Sequence, residues 1–207
     1  MGYKKNLNQQ LLVEGNDDKH VIWALCEKFA IVQNFEVIDC KGINLLQEQI
    51  TVRLKQSDIR TIGIIVDADA DLQKRWNSIS SIISEQGFHC PPEIPSEGFI
   101  VLKGEIKIGI WIMPNNNTTG MLEDFISFLV PVDDKLFLRS NATLSQMEQE
   151  NINRYSLTHK SKALIHTWLA WQSDPGTPMG LAITKKYLTN TEENCSVFIK
   201  WINDTFN

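Results

Sequence analysis

The stretch that decides the fold is TIGIIVDADAD, residues 61–71. Apart from one glycine, its first six residues are aliphatic or β-branched, a composition typical of a strand buried on both faces. Three aspartates then follow at alternate positions, Asp67, Asp69 and Asp71. Because a carboxylate at the end of an apolar strand is costly to desolvate, the pattern predicts a strand at Thr61–Asp67 whose end faces a cation.

Strands and helices alternate around this stretch. Apolar runs predict strands at Gln10–Val13 and Phe35–Cys40, and helical spacing predicts helices at Asp17–Phe29, Ile43–Leu54 and Asp71–Glu85. Strands that alternate with helices of this length indicate βαβ units. The predicted fold class is therefore α/β, with a mainly parallel, Rossmann-like sheet flanked by helices.

The second half of the chain is predicted to be mainly helical. A proline-rich loop is followed by FIVL and KIGIWIM, which predict a strand pair. Helical patterns then cover Met121–Val130, Ala142–Asn151 and Ser161–Gln172, with two shorter helices nearer the C-terminus. We expect an α/β domain over residues 1–130 and a helical C-terminal extension, residues 131–207, packed on it.

Composition and charge exclude several classes of protein. Hydrophobic residues at 43% and charged residues at 22% are typical of a folded domain. No apolar run approaches the roughly 18 residues of a membrane span, and the start of the chain has no signal-peptide core, so a cytoplasmic protein without a membrane partner is expected. The four cysteines form no CxxC pair, which argues against a zinc site or a disulfide framework.

Carboxylates follow two of the predicted strands. Glu14 follows the first strand and Asp67 ends the third, and ligands of open parallel sheets bind at such carboxyl ends. In an extended chain, Asp67 and Asp69 would point the same way, roughly 6 to 7 Å apart. Oxygen ligands without Cys or His favour Mg²⁺ or Mn²⁺. The alternative for Asp69 and Asp71 is helix capping, and for Glu14 it is a surface position before a turn glycine.

Two sequence segments resemble a known domain. LLVEGNDD, residues 11–18, followed about fifty residues later by GIIVDADAD, resembles the TOPRIM domain of topoisomerases, bacterial primases, small RNA-maturing nucleases, recombination mediators and OLD (overcoming lysogenization defect) nucleases. WIMPNNNTTGMLEDF and KALIHTWLAWQ are similar to a stand-alone TOPRIM-like family of bacterial proteins related to the OLD nucleases. The first resemblance covers about half of the chain, and the second covers most of it.

This resemblance implies a set of acidic site residues. Glu14 matches the TOPRIM glutamate that binds metal or transfers a proton, and Asp67 and Asp69 match the metal-binding pair. Glu123 and Asp124 resemble acids that complete a second metal position, although acids are also common in the first turn of a helix. Together with the last aspartate of the run, the candidate ligands for one or two ions are Glu14, Asp18, Asp67, Asp69, Asp71, Glu123 and Asp124.

Basic residues are concentrated late in the chain, against the overall net charge of −5. Between Arg154 and Lys200 there are six Lys or Arg and three Asp or Glu, which makes this region the best candidate to face phosphate. Lys160 and Lys162 lead into ALIHTWLAWQ, and a lysine there resembles one beside the scissile phosphate of OLD-like nucleases; Lys162 is the catalytic candidate. The candidate nucleic-acid contacts are Lys160, Lys162, Lys185 and Lys186. For Lys160 and Lys162 the alternative is a solvated helix start. His166 is expected to be a core or surface residue.

The predicted function is an Mg²⁺- or Mn²⁺-dependent nuclease, with DNA favoured over RNA, in phage defence or nucleic-acid processing. The sequence has no G-x-x-x-x-G-K-[ST] motif, so an ABC-type or OLD-type ATPase would be a separate polypeptide. The sequence leaves open whether the protein forms a homo-oligomer. One alternative is a non-catalytic TOPRIM module that binds nucleic acid or a partner. Metal-dependent phosphatases and glycosyltransferases also place Asp-x-Asp after an apolar strand.

Overall fold

The computed structural model of the protein describes residues 8–189 and 195–207, and a five-stranded sheet lies at its centre. The strand order is β2-β1-β3-β5-β4; β4 runs antiparallel to β5 and the other pairs are parallel. The strands are β1 (Gln9–Val13), β2 (Glu36–Asp39), β3 (Thr61–Asp67), β4 (Phe99–Lys103) and β5 (Ile106–Met113). The predicted α/β class, the mainly parallel sheet and the β4–β5 hairpin are confirmed.

Helices cover both faces of the sheet. Within the described residues they are α1 (Asn16–Lys28), α2 (Ile43–Leu54), α3 (Leu72–Glu85), α4 (Leu122–Leu129), α5 (Lys135–Gln149), α6 (Lys160–Ala170), α7 (Met179–Thr184) and α8 (Ser196–Phe206), with a 3₁₀ turn at Leu157–His159. None of these helices is long and apolar enough to cross a membrane.

Strand β3 is buried on both faces, as its composition predicts. Ile62, Ile64 and Val66 of β3 pack on the side of α2 and α3, whereas Ile65 packs on the side of α1. Successive strand residues point to opposite faces, so a strand covered on both sides needs apolar residues at every position. This requirement explains the uninterrupted run in TIGIIVD.

The C-terminal helices share the core of the α1 face. Ile165 of α6, Ile183 of α7 and Ile202 of α8 belong to the same buried cluster as Val13 of β1. Helix α7 also crosses α1 closely, because a Cβ atom on Gly180 would lie 2.6 Å from a backbone carbonyl oxygen of α1. The later helices therefore complete the main core of the protein.

Helix α8 lies directly on a notch formed by two glycines. Gly63 of β3 and Gly109 of β5 are paired in register, and neither has a side chain to hold the helix away. A Cβ atom on Gly63 would lie 2.7 Å from Phe206, and one on Gly109 would lie 2.5 Å from the Thr205 hydroxyl oxygen. The last turn of α8 thus fits only because both positions are glycine.

One helix boundary was predicted wrongly. Helix α5 begins at Lys135, seven residues before the predicted start at Ala142. The Asp134 carboxylate accepts a hydrogen bond from the Phe137 N–H (2.7 Å) and caps this helix. The cap residue, rather than the spacing of apolar residues, fixes the start.

Candidate functional site

The carboxyl ends of β1 and β3 form the topological switch point of the sheet. Helix α1, which follows β1, and helix α3, which follows β3, lie on opposite faces. In open α/β sheets, the crevice at such a point is the usual ligand site. Glu14 directly follows β1, and Asp67 is the last residue of β3. The fold therefore places these two carboxylates at the position where a ligand is expected.

Hydrogen bonds join three segments of the chain at this position. The Asp67 N–H donates to Glu14 Oε1 (2.9 Å), and the Leu122 N–H at the start of α4 donates to Asp67 Oδ1 (3.0 Å). Each carboxylate is thus oriented by a backbone amide that uses one of its oxygens. The second oxygen of each carboxylate, Glu14 Oε2 and Asp67 Oδ2, accepts no hydrogen bond from the described parts of the chain.

Two further acids lie in the first turns of helices beside this pair. Asp18 of α1 is 7% exposed and accepts a hydrogen bond from the Gly15 N–H (3.0 Å). Glu123 of α4 is 4% exposed and pairs with Lys162 Nζ of α6 at 3.3 Å. We define the strand-end site as Glu14, Asp18, Asp67 and Glu123.

The acids of the strand-end site interact electrostatically. Burial, followed by the charges of Glu14 and Glu123, raises the pKa of Asp18 to about 7. Burial, followed by the charges of Asp18, Glu14 and Glu123, raises the pKa of Asp67 well above its ordinary value. Burial also raises the pKa of Glu14, against the hydrogen bond from Asp67 and the charge of Arg75. Desolvated like charges of this kind are found mainly at functional sites.

The sequence comparison assigns a family. The sequence profile of the family "Protein of unknown function (DUF3226)" matches residues 8–207. The chain belongs to this family. No curated protein and no solved structure matches it. Every residue of the strand-end site lies inside the region matched to DUF3226.

Asp69 of this DUF3226 chain does not continue the strand, so the condition under which it would point the same way as Asp67 is not met. Its φ of +53° turns the chain away, and its backbone exchanges two hydrogen bonds with Gly120 (2.8 and 2.9 Å). Its carboxylate pairs with Arg75 Nη2 at 2.6 Å. Arg75 also donates from Nε to the Asp67 carbonyl oxygen (2.7 Å), and sequence reasoning missed this residue. The sequence feature that could have indicated Arg75 is its position, as a positively charged residue one turn into the helix that follows the aspartates.

Asp71 and Asp124, two other candidate metal ligands, are used instead at the starts of helices, which was the alternative role for each. Asp71 is exposed and caps α3, since its Oδ1 accepts the Lys74 N–H (2.9 Å). Asp124 has both carboxylate oxygens occupied. Its Oδ2 accepts the Met121 N–H (2.8 Å), and its Oδ1 accepts the Ser161 hydroxyl (2.6 Å). This second contact fastens the start of α6 to α4 and so helps to place Lys162.

The predicted phosphate-binding lysines are not equivalent. Lys162 is 54% exposed and reaches Glu123 of the strand-end site. Lys160 pairs with Glu148 at 2.6 Å, and Lys185 pairs with Asp174. Lys186, just after α7, is exposed, as is His166 on α6. Of these lysines, Lys162 is the one that the structure brings to the site.

The donor set of the strand-end site suits a hard cation. Its members offer carboxylate oxygens and neither sulfur nor imidazole, which is the ligand chemistry of Mg²⁺ and Mn²⁺. As the side chains stand, no three His, Cys, Asp or Glu residues in ranges 8–189 and 195–207 are arranged to hold a metal ion. Metal binding would thus require these carboxylates to move closer together.

A cleft of about 250 Å³ opens beside Asp67. It is lined by the turn at residues 68–71 and by Lys74, Arg75 and Ser78 of α3. The cleft lies at the same edge of the sheet as the strand-end site. It gives solvent access to the turn that carries Asp69.

Proposed function

We propose that this protein is an Mg²⁺- or Mn²⁺-dependent nuclease that hydrolyses phosphodiester bonds at the strand-end site. The observation that carries the proposal is the pairing of Glu14 with Asp67 across the switch point, with the Asp67 N–H on Glu14 Oε1. Two more buried acids, Asp18 and Glu123, lie within electrostatic reach of Asp67. A cluster of this kind is repulsive in the free protein, and a divalent cation would relieve the repulsion.

Each site residue has a role in this proposal. Glu14, Asp18, Asp67 and Glu123 would hold the metal through the oxygens that no backbone amide occupies. A bound divalent ion polarises a phosphoryl oxygen and lowers the pKa of a bound water. In the alternative role, Glu14 would not hold the metal and would instead accept a proton at Oε2, since burial already raises the pKa of this carboxyl. Lys162 would turn from Glu123 toward a phosphate oxygen, since its side chain is 54% exposed and beside the strand-end site.

The substrate and partner extend this proposal. The fold would be of the TOPRIM type, and DNA is favoured over RNA as substrate. With a net charge of −5, the chain has little non-specific attraction to phosphate, so binding would depend on the metal and on Lys162. A separately encoded ATPase of the ABC or OLD type would act with it, in phage defence or nucleic-acid processing.

The test is cleavage of supercoiled plasmid, single-stranded DNA and single-stranded RNA by purified protein with Mg²⁺ or Mn²⁺. We expect nicking that Glu14→Gln and Asp67→Asn abolish. Asp17→Asn is the matched control, because Asp17 is an exposed carboxylate in the same helical turn as Asp18. This variant should cleave like the wild type.

Other outcomes would point to other functions. Absence of cleavage, combined with Mn²⁺ binding that Asp67→Asn removes, would favour a non-catalytic module that binds a partner or nucleic acid. Release of phosphate from a small monoester, without cleavage of nucleic acid, would favour a phosphatase. Cleavage that persists in Asp67→Asn would refute the assignment of the site.

A further inference from the structure

We infer that Arg75 is a positioning residue of the strand-end site and that Asp69 acts through Arg75 instead of binding metal. This inference rests on the proposed function and deepens it. It also reassigns the second aspartate of the Asp-x-Asp pair, which sequence resemblance makes a ligand. The contacts of the β3–α3 turn carry it.

Arg75 makes two directed contacts at once. Its Nε donates to the Asp67 carbonyl oxygen (2.7 Å), and its Nη2 donates to Asp69 Oδ2 (2.6 Å). The side chain is only 14% exposed, so it is held in place by packing as well. A guanidinium group is a rigid planar fork, which fixes the relative position of the two groups it contacts. Arg75 therefore sets the geometry of the chain between Asp67 and Asp69.

The effect of this contact continues to the Asp67 carboxylate. Asp69 holds Gly120 through two backbone hydrogen bonds, of 2.8 and 2.9 Å. Two residues further on, the Leu122 N–H donates to Asp67 Oδ1 (3.0 Å). Arg75 thus fixes Asp67 from both sides, at its own carbonyl group and, through Asp69 and Gly120, at the amide that orients its carboxylate.

Positioning and simple electrostatics predict opposite results when Arg75 is removed. Deleting a positive charge beside an anionic site would tighten the binding of a cation, because attraction increases with net negative charge. It would also free Asp69 to become a ligand. Loss of positioning would instead weaken binding, typically by about 10- to 100-fold for a residue that orients a metal ligand. The direction of the change in affinity therefore separates the two roles.

The experiment measures Mn²⁺ dissociation constants by calorimetry for the wild type, Arg75→Met, Asp69→Asn and the double variant. Methionine keeps the apolar stem of Arg75 and removes the fork. We expect each single change to weaken binding by about tenfold or more, and the double variant to be no weaker than either single one. Lys74→Met is the matched control, because it removes a neighbouring charge of α3 without touching Asp67 or Asp69.

Two results would overturn the inference. One is Arg75→Met binding Mn²⁺ as tightly as the wild type or more tightly. The other is a loss beyond about 100-fold that is confined to Asp69→Asn, which is the behaviour of a direct ligand. Cleavage assays are not needed for either result, so an inactive wild type that binds Mn²⁺ refutes the nuclease but not the role of Arg75.

A second measurement is used if the wild type does not bind Mn²⁺ in calorimetry. That outcome refutes the proposed metal site and with it the reassignment of Asp69. The positioning role of Arg75 is then decided by hydrogen exchange of the Asp69 and Gly120 amides in metal-free protein. Faster exchange at both amides in Arg75→Met, but not in Lys74→Met, supports it. Unchanged exchange overturns it.

Discussion

Replacing Asp18 by asparagine should stabilise the metal-free protein, and more so as the pH rises. The pKa of Asp18 is raised from 3.8 to about 7, mainly by burial. The folded state therefore holds a proton more tightly than the unfolded state, and stability falls as pH rises between these two values. Asparagine carries no charge, and its carbonyl oxygen can still accept the Gly15 N–H. It removes the destabilisation and keeps the hydrogen bond.

The size of this effect follows from the pKa shift. A shift of about 3 units corresponds to about 4 kcal/mol once the pH is well above 7, at 1.36 kcal/mol per unit. At pH 5 the Asp18 carboxyl is ionised in the unfolded state but protonated in the folded state. The destabilisation of the folded state by Asp18 is then only about 2 kcal/mol. The advantage of Asp18→Asn should thus grow by about 2 kcal/mol between pH 5 and pH 8, or by roughly 4 to 8 °C in Tm.

Thermal unfolding with a chelator present, at pH 5 and at pH 8, measures this difference. Asp17→Asn serves as the control, because it removes the same negative charge at an exposed position next to Asp18. An equal difference in Tm at the two pH values would refute the reasoning. So would a variant that is less stable than the wild type at pH 8, because burial of a charge would then not be what destabilises the site.

Four other predictions concern the site and the core. Mn²⁺ at about 100 times its dissociation constant should stabilise the wild type by about 2.7 kcal/mol at pH 8. In thermal unfolding, the Tm of Asp67→Asn should not change when Mn²⁺ is added. An equal rise in Tm for the two proteins would contradict the site. Asp71→Ala should lose about 1 kcal/mol in urea unfolding through its helix cap while Mn²⁺ affinity stays constant; weaker Mn²⁺ binding would make it a ligand. Thr205→Val should gain about 1 kcal/mol in urea unfolding, because the buried hydroxyl has no hydrogen-bond partner in the described chain; a loss would reveal a hidden partner. Gly180→Ala should lose about 1 to 3 kcal/mol in urea unfolding, since its Cβ would lie 2.6 Å from the His20 carbonyl oxygen; unchanged stability would show that the two helices can separate.

Glu14 and Asp67 could be located from the sequence, because each directly follows or ends an apolar run that local residue patterns identify as a strand. The apolar run of Thr61–Asp67 marks a doubly buried strand, and Glu14 follows the first apolar run. Parallel strands that end together then bring these acids to one edge. Helix α2 was predicted with its observed bounds, Ile43–Leu54, because its apolar spacing and flanking turn agree.

The parts that sequence reasoning missed depend on contacts between distant segments. The turn at Asp69 is fixed by Gly120, some fifty residues away, and by Arg75, whose partner is a backbone carbonyl that no residue pattern encodes. The early start of α5 was different, because Asp134 is a favoured capping residue and its position was visible in the sequence. For this helix the capping residue, and not the spacing of apolar residues, marks the start.

The glycine notch under α8 has a consequence for synthesis of the protein. While the chain is being translated, the sheet can assemble from residues 9–113, but Gly63 and Gly109 stay uncovered until Thr205 and Phe206 have left the ribosome. A nascent chain paused before Ser196 would therefore leave uncovered the part of the sheet on which α8 packs. Chaperones that bind extended apolar surface should associate with such paused chains and release them once α8 has docked.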